Sequence, residues 1–138
     1  MSDTEAGSHD KRPRVVVADD DPLVRAALSA QLAAKYEVVG VATDAVEAIA
    51  LTVEQQPDLA ILDVDMPEGG GLRATREIHD AVPLTTVVAL SADESDQVVR
   101  DMIRAGAVNY IRKGIRSDEL DEALRASLAA GPLLGDEG

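Results

Sequence analysis

In four places this 138-residue chain sets a side chain capable of chemistry directly after an apolar run. Asp19-Asp20-Asp21 follows Val15-Val16-Val17-Ala18, and Asp63 follows Leu59-Ala60-Ile61-Leu62. Ser91 follows Thr86-Val87-Val88-Ala89-Leu90, and Lys113 comes just after the run from Val108 to Ile111. Two like unit charges about 4 Å apart repel by roughly 4 kcal/mol at an effective dielectric near 20. Ionised carboxylates sharing such a space therefore need a cation or raised pKa values. An all-oxygen site that stays partly hydrated suits Mg²⁺, which also takes phosphate oxygens as ligands. Ser91 and Lys113 are ligands for anions instead. A site holding both kinds fits a phosphoryl group bridged to Mg²⁺, and a carboxylate such as Asp63 can attack phosphorus covalently.

The rest of the composition narrows the function classes. Thirteen Lys+Arg against twenty-six Asp+Glu give a net charge of −13, which disfavours direct nucleic-acid or anionic-membrane binding. No Cys is present, which excludes disulfides, thiol catalysis and Cys-ligated metals. His9 and His79 are the whole His inventory, and Tyr36 and Tyr110 the whole aromatic one, too few for a base-stacking surface. No apolar run approaches the roughly 20 residues of a membrane span, and the N-terminus lacks a signal-peptide core. The expectation is a cytoplasmic acidic domain over 14–130. Residues 1–13 are expected to be a disordered tail, and 131–138 a C-terminal tail or the start of a linker.

The elements that must position these residues alternate. Asp21 before Pro22 caps a helix carrying Val24, Leu28 and Leu32. Val38 to Ala42 reads as a strand, and Asp44-Ala45-Val46-Glu47 as a capping box opening a helix whose apolar face is Val46, Ile49, Ala50 and Val53. Gly69-Gly70-Gly71 reads as a loop into a helix near 72–81. It lacks the Lys-Ser/Thr of a P-loop. Val98, Val99, Met102 and Ile103 lie on a helix closed by Gly106. Ser117 is placed to cap a last helix with Leu120, Leu124 and Leu128 facing the core. His79 is read as a surface residue. Five apolar strands and five helices in alternation argue for a doubly wound parallel α/β sheet. Ligands of such sheets bind beyond the carboxyl ends of the strands, which is where Asp19, Asp20, Asp63, Ser91 and Lys113 fall.

These segments together resemble the receiver domain of bacterial two-component response regulators. The run from Val15 through Asp19, Asp20 and Pro22 resembles its first strand and acidic pair. Pro57-Asp58-Leu59-Ala60-Ile61-Leu62-Asp63, with Met66-Pro67 and then Gly71, resembles its phosphoacceptor segment. Val87 to Ala92 resembles its hydroxyl-bearing switch strand, and Ala105-Gly106-Ala107 through Tyr110 to Lys113 its aromatic-then-Lys segment. The resemblance implies a flavodoxin-like fold with strand order 2-1-3-4-5. It implies that Asp63 accepts a phosphoryl group from a histidine kinase or a phosphotransfer protein. Mg²⁺ would be held by Asp20, Asp63 and the Asp65 main-chain carbonyl, with Asp19 acting through water. Ser91, the Ala92 N–H and Lys113 would bind the phosphoryl oxygens. Inward movement of Ser91 would let Tyr110 rotate and change the face of helix 4, strand 5 and helix 5. An effector domain, a partner protein or a second copy could read that face.

The chain departs from the pattern in places. Gly114 stands where many relatives have Pro after the Lys, often through a cis peptide. At a non-proline bond that geometry costs about 2.5–4 kcal/mol, which leaves the loop's conformation open. In the family, the places of Asp65 and Asp93 flank the hydrolytic water, so the resemblance makes both candidates for tuning the lifetime of the phosphorylated state. Two other readings compete: a scaffold of the same fold that works unphosphorylated, and a haloacid-dehalogenase-type phosphatase using Asp63-Val64-Asp65. Under the receiver reading the chain is not an enzyme beyond self-phosphorylation from small donors and autodephosphorylation.

Overall fold

The computed structural model describes residues 11–92 and 96–132. Five strands alternate with five helices: β1 Arg14–Ala18, α1 Pro22–Leu32, β2 Glu37–Ala42, α2 Ala45–Gln55, β3 Leu59–Asp63, α3 Gly70–Ala81, β4 Thr86–Ser91, α4 Asp96–Ala105, β5 Asn109–Arg112 and α5 Ser117–Ala130. All pairings are parallel and the order is β2-β1-β3-β4-β5. This is the expected doubly wound sheet in the order 2-1-3-4-5.

Period-two alternation along the strands divides the core between the two faces. Val15, Val17, Leu59, Ile61, Val88 and Leu90 pack with Leu28, Leu32, Leu120 and Leu124 of α1 and α5. Ala18, Ala60, Leu62, Val87 and Ala89 pack with Ala45, Ala48, Ala74, Ile78 and Met102 of α2, α3 and α4. Both faces are covered, so the three central strands β1, β3 and β4 read as unbroken apolar runs.

Helix starts follow local chemistry. The Asp21 side chain accepts from Leu23 N at 2.9 Å, with Pro22 at the first helical position. Asp44 accepts from Glu47 N at 2.8 Å, as a capping residue should. The reciprocal bond of that box is displaced by one residue, because the Glu47 carboxylate accepts from Thr43 N at 2.7 Å.

Several expectations need correction. The buried face of α2 is Ala45, Ala48 and Thr52, whereas Val46, Ala50 and Val53 are exposed. Small residues let α2 lie close to the sheet, so the face is set by fit and not by side-chain size. Helix α3 begins at Gly70, so two of the three loop glycines form its first turn. Arg116, not Ser117, occupies the N-cap of α5, with no side-chain cap bond. His79 is half-buried against Gly106, where a Cβ would sit 3.0 Å from its ring. No peptide bond among the described residues is cis, and Gly114 takes a left-handed φ of 85°.

Candidate functional site

Four strand ends meet at one edge of the sheet. Asp19 continues β1, its N–H donating to the Ala42 carbonyl at 3.1 Å. Asp63 is the last residue of β3 and pairs in register with Leu90; Ser91 ends β4 opposite Arg112. Lys113 follows β5, its N–H donating to the Ser91 carbonyl at 3.0 Å. Asp19, Asp63 and Ser91 are buried, while Asp20 and Asp65 are exposed.

The buried acids are tied down one oxygen at a time. Asp19 Oδ1 accepts from Asp21 N at 2.8 Å, and Asp63 Oδ1 from Asp65 N at 3.1 Å. The Lys113 Nζ bridges them, 3.0 Å from Asp19 Oδ2 and 3.2 Å from Asp63 Oδ1. Asp63 Oδ2 is buried and makes no hydrogen bond among the described residues. Burial pushes the Asp63 carboxyl up to about 6; the Asp65 N–H opposes this, Asp19 adds to it, and Lys113 opposes it. Burial works to lower the Lys113 ammonium, but its bonds to Asp19 and Asp63 outweigh that and leave it raised. Asp63 is thus a desolvated carboxylate with one oxygen oriented and the other uncommitted.

One carboxylate oxygen from each of Asp19, Asp20 and Asp63 lies within 4.8 Å of the other two. An open cleft of about 460 Å³ beside them is lined by Asp20, Val64, Asp65, Met66, Pro67, Gly69 and Gly70. Hard oxygen donors, a buried carboxylate oxygen that makes no hydrogen bond and a solvent-open cleft fit Mg²⁺.

Three features of this geometry escape a reading of motifs. Gly71 N donates to the Val64 carbonyl at 2.9 Å, and a Cβ on Gly71 would lie 2.4 Å from the Asp63 carbonyl oxygen. Glycine is what allows α3 to start against the phosphoacceptor candidate. Gly70 is similar, with a φ of 68° and a would-be Cβ 2.6 Å from the Val64 carbonyl oxygen. Arg25 NH1 donates to the Asp19 carbonyl at 2.9 Å, anchoring the acidic turn from α1. Gly71 stood in the phosphoacceptor resemblance and Gly70 in the run of three glycines, but the close approaches they allow gave no signal in sequence.

The remaining candidates lie around this core. Ala92 is exposed just after Ser91. Tyr110 is 40% exposed on β5, its N–H held by the Asn109 side chain at 2.8 Å. Asp93 lies outside the described residues. No described helix is long and apolar enough to cross a membrane.

The arrangement is that of a parallel α/β module whose carboxyl edge sets an acidic cluster and a lysine side by side. A family model for the response regulator receiver domain matches residues 15–125, and the chain belongs to that family. The uncharacterized transcriptional regulatory protein YxjL of Bacillus subtilis is 39% identical over 116 residues, covering 83% of this chain and 53% of that protein. The mycobacterial DNA-binding transcriptional activator DevR/DosR of Mycobacterium tuberculosis is 35% identical over 88% of this chain and 57% of its own length. The chain therefore spans about half the length of the curated relatives it matches. Among solved structures, the signal receiver domain of the response regulator NarL from Mycobacterium tuberculosis superposes with a TM-score of 0.82 at 29% identity, covering 87% of this chain and 98% of that one.

Proposed function

We propose that this chain is the phosphoacceptor module of a two-component system, with Asp63 as the acceptor. The observation that carries this reading is the Asp63 carboxylate: buried, oriented through Oδ1, and bare at Oδ2. In the transfer, a lone pair of Asp63 Oδ2 forms the bond to phosphorus. The P–N bond to the donor's phosphohistidine breaks, and its electron pair returns to the imidazole. The Lys113 ammonium lies where negative charge gathers on the transferred oxygens. Asp19, Asp20, Asp63 and the Asp65 carbonyl would hold Mg²⁺, which when bound neutralises further charge on those oxygens.

After transfer, the Ser91 hydroxyl and the Ala92 N–H hold phosphoryl oxygens. Inward movement of Ser91 leaves room into which Tyr110 turns from its exposed position, altering the surface of α4, β5 and α5. A histidine kinase or phosphotransfer protein is the donor. An effector domain, a separate protein or a second copy of the chain is the reader. Asp65 and Asp93 set how long the acyl phosphate lasts.

The test is chemical. After incubation with Mg²⁺ and a phosphoryl donor, borohydride reduction of an aspartyl phosphate yields homoserine. Peptide mapping should find it at position 63. Homoserine at another acid, with Asp63 intact, would overturn the assignment.

A further inference from the structure

In the connection from β5 to α5, Ile115 packs half-buried against the core, but Gly114 has no such anchor. Gly114, at its centre, has a left-handed φ and open space where a Cβ would be. Between this loop and α1 runs an unfilled groove of about 340 Å³, walled by aliphatic side chains such as Leu23, Leu28 and Leu90. Where the groove is open, the segment forgoes part of its dispersion contacts. Yet Lys113, which starts the loop, keeps its ammonium on two buried carboxylates.

Hydrogen bonds add to the constraint from Ile115. Lys113 N–H holds the Ser91 carbonyl, and Ile115 N–H closes a turn on the Arg112 carbonyl at 3.1 Å. Both ties stay within β4, β5 and the loop. Side-chain hydrogen bonds to another layer come from α1. The half-buried Gln31 side chain donates through Nε2 to the Ile115 carbonyl at 2.9 Å and lies 3.2 Å from the Ser117 hydroxyl. These contacts cross 84 and 86 positions of sequence.

We infer that Gln31 is a positioning residue, whose amide ties the β5–α5 loop to α1 and so sets the reach of the Lys113 ammonium to Asp19 and Asp63. Its kinetic consequence rests on the phosphoacceptor reading, whereas the tie itself does not. Helix α1 thereby helps build the site through Gln31 as well as through Arg25. Reacting groups are sensitive to this: a displacement of about 1 Å can cost on the order of 100-fold in rate.

Two substitutions separate hydrogen bonding from packing. Gln31→Glu keeps size and shape but its ionised carboxylate only accepts; Gln31→Lys donates and cannot accept. The full chain is incubated with Mg²⁺ and acetyl phosphate, and the labelling rate is followed by intact mass. Gln31→Glu should label roughly tenfold more slowly, and Gln31→Lys should keep most of the wild-type rate. In a Lys113→Ala background the Glu substitution should change nothing further, since the two act through one group. Wild-type labelling by Gln31→Glu, or equal slowing with and without Lys113, would overturn the inference. If the wild-type chain takes no label, the phosphoacceptor reading fails, and amide exchange decides on the tie. Faster exchange at Ile115 in Gln31→Glu, with the core strands unchanged, upholds it; unchanged exchange at Ile115 overturns it.

Discussion

In the proposed function Asp63 carries most of the chemistry, and its surroundings work against its own charge. It is buried, it shares its space with Asp19, and one oxygen has no partner. Lys113 is a single cation serving two carboxylates. Without divalent ions, Asp63→Asn should therefore stabilise the fold by on the order of 1 kcal/mol, against the usual sign for a single substitution. Thermal unfolding in chelator measures this. Magnesium should reverse the ranking. A ligand that binds only the folded state adds about 2.7 kcal/mol at 100 times its Kd, and the Asn variant has lost a charged ligand. Lys113→Ala should slow labelling from a small donor while keeping the Mg²⁺-induced rise in Tm. Loss of that rise would mean that Lys113 supports the cation site. At this scale the sequence is informative because strand-end acids in an apolar domain are costly without a role. The bare Oδ2 was not legible, since it depends on which partner each oxygen finds.

The elements place these residues by close approach. Helix α3 starts against the end of β3 because Gly71 has no Cβ to meet the Asp63 carbonyl oxygen. Gly71→Ala should cost about 1–3 kcal/mol through overpacking, and it should slow Asp63 labelling more than an Ala at an exposed α3 position does. Denaturant melts and labelling rates on the two variants check this. The packing of the α1–β2 turn against α5 gives a pH-dependent test away from the site. Asp121 is held at about 2 by Arg125 first, then by Tyr36 and Lys35, against the opposing effect of burial. A depressed carboxyl pKa adds stability that is full above its unfolded value and is lost as pH falls toward the folded one. Wild-type stability should drop between about pH 4 and pH 2, with a shallower drop in Asp121→Asn. Element identity was legible from apolar runs and caps. The buried face of α2 was not, because Ala45, Ala48 and Thr52 carry a weaker apolar signal than the exposed Val46 and Val53.

On the scale of the whole molecule, topology explains why four separated segments make one site. Parallel strands in the order β2-β1-β3-β4-β5 bring the ends of β1, β3, β4 and β5 to one edge. The switch in winding direction beside β1 opens the crevice there. This was legible because alternation of strands and helices, with one handedness for the crossovers, leaves few arrangements. The tie between Gln31 and the loop was not, since no local pattern marks a contact across 84 positions. The most direct measurement of the central claim is intact mass after incubation with Mg²⁺ and a small acyl-phosphate donor, with Asp63→Ala alongside. The account predicts one added phosphoryl group that requires both Mg²⁺ and Asp63. An adduct of the same size and rate on Asp63→Ala, or one formed equally well in chelator, would contradict it.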